Sequence, residues 1–207
     1  EAPIAPALLP PPPEGSERFV IPFTATVNDM PLVCGQEYAG IGLEGSTIEV
    51  RDFRLYVHDV ALIDASGART PLNLDENGPF QLRYEKQDGG QGGLALIDFT
   101  DKSSELCSDR GTEEVNTFIS GVAPEGDYTR MAFSLGVPPE LNHVNAAVSE
   151  APLNVYGMQW TWASGYRHIK VDIQATTPRE GEEPKVKDKY YFHPGAQGCA
   201  TDNGEIA

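Results

Sequence analysis

Regular alternation of apolar and polar positions begins at Phe19. Phe19, Ile21 and Phe23 are separated by polar or small neighbours, the period of a strand with one buried face. The strongest strand signal is STIEVRDFRLYVHDVALID, residues 46–64, where Phe53, Leu55 and Val57 share one face and Arg54, Tyr56 and His58 the other. The apolar phase then moves to Val60 and Leu62, a one-position slip that predicts a bulge or turn near His58–Asp59. GGLALIDFTD predicts another strand. VAPEGDYTRMAFSLGVP predicts a turn followed by a strand with Met131, Phe133 and Leu135 on one face, and its Tyr128 sits where β-sandwiches carry a tyrosine corner. GMQWTWASGYRHIKVDIQA predicts strand, glycine kink, strand. Met158, Trp160 and Trp162 share a face in the first segment; in the second, Ile169, Val171 and Ile173 oppose His168, Lys170 and Asp172.

The connections are as telling. LNLDENGPF resembles the start of a calcium loop, but Asn stands at its first position and Tyr84 at the twelfth, where a bidentate Glu belongs. A hairpin turn around Asn77-Gly78 is the expectation instead. PPELNHVNAAVSEAPLN predicts a long loop with one helical turn, and loops of that length in compact domains usually serve a purpose. TPREGEEPKVKD reads as a solvated charged turn, and KYYFHPGAQGCA as a short strand ending at His193. There is no internal repeat and no long amphipathic helix. The pattern predicts an all-β fold, an antiparallel β-sandwich with long loops. EAPIAPALLPPPPEGSE has no spacing that could bury a face, so residues 1–18 read as a Pro-rich tether and residues 19–207 as a single β-sandwich domain.

Composition narrows the partners. The net charge of −16 argues against nucleic acid and against an anionic membrane surface, and favours cations. No apolar run approaches a membrane span. The chain opens at Glu1 rather than Met, as a processed mature protein does, with the tether leading back toward a lipid anchor upstream. Cys34, Cys107 and Cys199 form no Cys-x-x-Cys pair, which disfavours a structural zinc site, and without Cys-x-x-Cys-His the chain attaches no c-type haem. Distant cysteines suit disulfides in an oxidising compartment. A Cys34–Cys107 bridge would close a long loop and contribute about 4 kcal/mol in the chain-entropy model; Cys199 is then left over.

Four histidines are available: His58, His143, His168 and His193. Three of them sit where chain geometry changes, at a strand phase break, in a long loop and at a strand end. Imidazoles gathered from distant segments suit copper or zinc. His168 lies on a regular polar strand face, where an ordinary surface role is the simpler reading. Trp160 and Trp162, the chain's two tryptophans, read first as core. Their functional alternative is oxidation, because ring opening of an indole exposes a carbonyl and an aromatic amine, both potential ligands. A Gly-x-Ser-x-Gly elbow, a Walker loop, a dinucleotide fingerprint and a His-Glu-x-x-His helix are all missing.

FTATVNDMPLVCG, DFRLYVHDVALID, ALIDFTD, LGVPPELNH, MQWTWASGYRHIKVD and FHPGAQGC, in that order, resemble the MbnP-type copper-binding proteins, the metallo-mystery pair four-Cys family, from about Phe19 to Cys199. The resemblance implies a periplasmic or secreted, outer-membrane-associated protein paired with a MauG-like dihaem enzyme of the MbnH type. That partner oxidises a tryptophan to kynurenine, and the modified protein binds copper in copper acquisition or trafficking. Carried over, Trp162 and Trp160 are the candidate substrates, His143 of LNH and His193 of FHPGAQGC match the family's histidines, and His58 of YVHDV stands as a third metal ligand. The chain is then a protein substrate and not an enzyme; copper is its ion, with calcium a second candidate for the acidic surface. Two departures stand out. The family carries four cysteines against three here, which implies that the fourth lies beyond Ala207, and His168 stands where relatives carry an apolar aromatic. The rival reading is a non-catalytic binding or adhesion sandwich with no metal role.

Overall fold

The computed structural model describes residues 9–76, 78–102, 107, 113–196, 201–202 and 205–206. The chain opens with β1 (Ser16–Pro22), then β2 (Thr26–Val27) and β3 (Met30–Pro31), joined by Asn28 and Asp29 at φ 48° and 65°, a two-residue turn with positive φ at both positions. After β4 (Glu37–Ile41) comes the spine of the molecule, the 19-residue β5 (Ser46–Asp64). The predicted slip is present. Asp59 takes φ 50°, and the register against the facing strand shifts between Ala61 and His58.

Next come β6 (Arg69–Pro71), β7 (Asn73–Leu74), a 3-10 turn at Gly78–Phe80, β8 (Gln81–Glu85) and β9 (Gln91–Asp98). The expected hairpin around Asn77-Gly78 does not form. β7 pairs with β10 (Phe118–Pro124) while β8 pairs with β9, so the connection crosses from one sheet to the other; Asn77 itself lies outside the described residues. Pairing is decided by which apolar face each short strand can bury, and turn residues alone do not fix it. β11 (Tyr128–Leu135) follows, and the Tyr128 hydroxyl donates to the Pro124 carbonyl at 2.9 Å, the expected corner. A helical turn α1 (Pro139–Asn142), β12 (Gln159–Thr161), β13 (Gly165–Tyr166), β14 (Ile169–Thr177), β15 (Lys185–Phe192), β16 (Thr201–Asp202) and β17 (Glu205–Ile206) complete the chain.

The architecture is all-β and sandwich-like. A three-stranded sheet, β1-β10-β7, packs on a large antiparallel sheet ordered β15-β14-β5-β9-β8, with β4, β6 and β11 also paired to β5. Between them lies one core, with Val57, Leu62, Leu74, Ala95, Ile97 and Ile119 at its centre. The opposite face of the large sheet is also buried. Tyr56, Leu94 and Leu96 pack there with Val137, Leu153, Met158 and Tyr166. That is why LALI in β9 is apolar without alternation: its residues face two different cores in turn. The second core is roofed by the long segment 136–168 rather than by another sheet.

This roof is anchored at its neck and at its middle. β11 and β14 both pair with the same edge of β5, and the Tyr56 backbone clamps the gap between them. Its N–H donates to the His168 carbonyl at 2.9 Å and its carbonyl accepts from Gly136 N–H at 2.8 Å. The Tyr56 and Tyr166 rings meet edge to face at 5.9 Å, and their hydroxyls donate to the carbonyls of Pro152 and Leu153. Burial pushes the Tyr166 phenol up to about 12, so it remains a donor across physiological pH. The Cys34–Cys107 disulfide is present and spans 73 positions; Cys199 lies outside the described residues.

Candidate metal centre

The roof carries a small hairpin, β12–β13, and both tryptophans lie on it. Gln159 pairs with Tyr166 and Thr161 with Gly165. Gly165 takes φ 73°, a conformation glycine adopts freely, and the Asn142 carboxamide occupies the space where a Cβ would project, as close as 2.5 Å. Asn142 is buried, and its Oδ1 accepts the Tyr166 N–H at 3.0 Å. The next residue, His143, places Nδ1 2.8 Å from the Trp162 carbonyl. A carbonyl only accepts, so Nδ1 carries the proton and Nε2 holds the lone pair, with Asn142 Nδ2 at 3.2 Å. The LNH motif therefore docks the hairpin, and the Nε2 lone pair of its histidine accepts from the Asn142 carboxamide, which a metal would have to displace.

Expectation and structure part over the indoles themselves. Met158 is fully buried as the core role requires, but Trp160 is 38 % and Trp162 51 % exposed. Tyr166, at the base of the hairpin, reaches the core, whereas Trp160 and Trp162 lie further along it and do not.

On the flank of the hairpin, Trp160 meets the C-terminal histidine through an arginine. The Arg167 guanidinium carbon lies 5.0 Å from the Trp160 ring centroid, its Nη1 donates to the carbonyls of Gly157 and Gln159 at 2.8 and 3.0 Å, and its Nε lies 3.4 Å from His193 Nδ1. His193 Nε2 is hydrogen-bonded to Asp172. A carboxylate partner on Nε2 fixes the tautomer and leaves the lone pair at Nδ1. Gly195 closes this side, bridged to Arg167 through the backbone and packed against the Trp160 ring.

Asp172 belongs to a buried row of charges that the sequence pattern disguised. Lys170 and Asp172 are each 3 % exposed, although their alternation with Ile169, Val171 and Ile173 predicts an outward polar face. In register, Lys170 lies opposite Arg54 and Asp172 opposite Asp52. Arg54 Nε donates to Asp52 Oδ1 at 2.7 Å, Lys170 pairs with both Asp52 and Asp172, and Arg54 Nη1 reaches the Tyr156 carbonyl. A cavity of about 310 Å³ opens onto Arg54, Arg167, Lys170, Asp172 and His193. Sequence reasoning missed Arg167, Asp172 and Asn142. The available signal was two opposite-charge pairs at spacing two, on strands that would pair.

His58 occupies different ground. Its Nδ1 lies 3.1 Å from Asp59 Oδ2, and Asp59 is paired with Lys86. Burial pulls the His58 imidazole below its ordinary value, against the opposing pull of Asp59; burial, then the neighbouring His58, does the same to His168. Burial raises Asp59 while the Lys86 hydrogen bond lowers it, and the balance falls below the usual carboxylate range. His168 is packed against Gly136 at the neck of the roof, and its Nε2 is buried without a hydrogen-bond partner. His143 and His193 are thus both attached to the tryptophan hairpin, and His58 is held by Asp59 on β5. Among the described residues no group of three His, Cys, Asp or Glu side chains is clustered as a ready metal cage. Neutral imidazole nitrogen suits copper, and His143 and His193 are the two imidazoles attached to the hairpin, each oriented by an acceptor on one ring nitrogen.

The family model MbnP matches residues 16–205. Among solved structures, MbnP from Methylosinus trichosporium is similar, with a TM-score of 0.67 and 24 % identity over 93 % of this chain and 68 % of that one, a likeness that speaks to the fold. No curated protein matches the chain.

Proposed function

The chain belongs to the MbnP family, and on that premise we propose that it is an extracytoplasmic copper-binding protein and the substrate, not the catalyst, of an oxidation. His143 and His193 supply imidazoles beside the hairpin, with His58 as an outlying third. One of Trp160 and Trp162 is oxidised to kynurenine by a MauG-like dihaem partner, and the product serves copper acquisition or trafficking. The observation that carries this reading is the attachment of two histidines, 50 positions apart in sequence, to the one hairpin that bears both indoles. Each imidazole has one nitrogen committed to a fixed acceptor, the usual arrangement around ligating histidines, and the other, His143 Nε2 or His193 Nδ1, held by a donor from Asn142 or Arg167 that a metal would displace. Copper bound there would draw on those two lone pairs.

Exposure of both indoles, together with Tyr156, Tyr191 and Phe192, supports access by a protein partner. The disulfide suits an oxidising compartment, and no described helix is long and apolar enough to cross a membrane. Intact-mass analysis of protein from its native host tests the oxidation, since kynurenine replaces a ring carbon of tryptophan by oxygen. An unmodified mass in the presence of the native partner overturns that half. Copper titration tests the other half: joint replacement of His143 and His193 by Ala should abolish stoichiometric binding, and His58→Ala reports whether the third imidazole takes part.

A further inference from the structure

We propose that Arg167 is a built-in competitor for the metal, a guanidinium that occupies the cation position on His193 in the metal-free protein. The inference rests on the copper reading above and adds its regulation. As the acceptor of a hydrogen bond from Arg167 Nε, the His193 imidazole offers a single lone pair. With Nε2 bonded to Asp172 that lone pair lies at Nδ1, and Nδ1 faces Arg167 Nε at 3.4 Å. A metal ion needs the same lone pair, so guanidinium and metal exclude one another there. The arginine must swing away for His193 to ligate.

The surroundings hold the guanidinium in place without burying it irreversibly. Two carbonyls of the roof, Gly157 and Gln159, accept from Nη1, and the Trp160 ring supplies a π face at 5.0 Å. Such a stack contributes about 0.5–2 kcal/mol depending on desolvation. Trp160 is partly exposed, so the contact is one that modest changes can undo. The platform under the competitor is thus one of the two candidate indoles. Any change that draws π density out of the Trp160 ring loosens Arg167 and frees His193, which couples the state of the indole to metal affinity.

The test compares Cu(I) affinity of the full chain and its Arg167→Gln variant, by competition with a chromophoric Cu(I) chelator, alongside the NMR resonance of Arg167 Nε–H. The expected result is about tenfold tighter binding by the variant, with the wild-type Nε–H resonance slow to exchange before copper and shifted after it. A residue that merely supports the roof would lower affinity when removed, so a rise separates the two roles. Equal or weaker binding by the variant overturns the competitor while the copper reading stands. If neither protein binds Cu(I), the copper reading falls and the inference with it. Should Arg167→Gln not fold, wild-type protein produced with fluorinated tryptophan takes its place, because fluorination weakens the stack while preserving ring shape. Tighter Cu(I) binding supports the proposal there, and unchanged affinity overturns it.

Discussion

At Gly195 there is no room for a side chain. A Cβ would stand 2.4 Å from the Trp160 ring and 2.7 Å from the Tyr166 carbonyl, and the carbonyl is fixed backbone. Gly195→Ala should therefore push the indole off its seat, costing about 1–3 kcal/mol and shifting tryptophan emission toward that of a solvated ring; fluorescence and a urea titration on the same sample check both. The paired histidines on β5 and at the neck make a second residue-level prediction. Both imidazoles are depressed below 6.5 in the folded protein, so as pH falls through that value the unfolded chain takes up protons that the folded one refuses. The unfolded state binds more protons, so stability rises with pH and is lost on acidification below 6.5. Asp59, also depressed, adds a loss in the same direction at lower pH, with Lys86 and Glu140 the other charges acting on His58. Urea midpoints at about pH 7.5 and about pH 5.5 should differ in that sense, and His168→Phe should shrink the difference. An unchanged gap in the variant would remove His168 from the account.

At the scale of elements, the long segment from Gly136 to His168 behaves as a roof because one residue of β5 holds both its ends. The strand itself, its face assignment and its bulge at Asp59 were all legible in the alternation of residues 46–64, since each depends on neighbours two apart. The roof was legible only as a long loop. Its clamp at the Tyr56 backbone involves residues about 80 and 112 positions away, and no local spacing encodes such a meeting. The buried charges failed for the same reason. Lys170 and Asp172 look like a solvated face until β5 supplies Asp52 and Arg54 in register. The disulfide ties the other side of the fold. Reducing Cys34–Cys107 releases a closed loop spanning 73 positions and should remove about 4 kcal/mol of stability in the chain-entropy model, read as a lower denaturation midpoint in reductant.

Across the whole molecule, the large sheet has two buried faces and the candidate centre lies on the less regular one. β9 sits between two cores, with Leu94, Ala95, Leu96 and Ile97 at zero exposure, whereas the β12–β13 hairpin rests on a few side-chain contacts. Hydrogen exchange should accordingly show the β9 amides opening only with global unfolding and the hairpin amides opening at much lower cost; comparable protection in both would refute this division. The acidic chain, at −16, favours cations around the whole surface, but charge of that kind draws an ion near without choosing its seat. By itself the sequence determined the all-β class, the strand faces, the histidines worth watching and the family, because periodicity and motif order are properties of residues close along the chain. Only the tertiary structure decided that the tryptophans stand at the surface, that Asp172 orients His193 and that Arg167 joins that histidine to Trp160. Those contacts form between segments whose distance apart is set by how the sheets close, and burial converts charges that look ordinary in sequence into partners that must find each other.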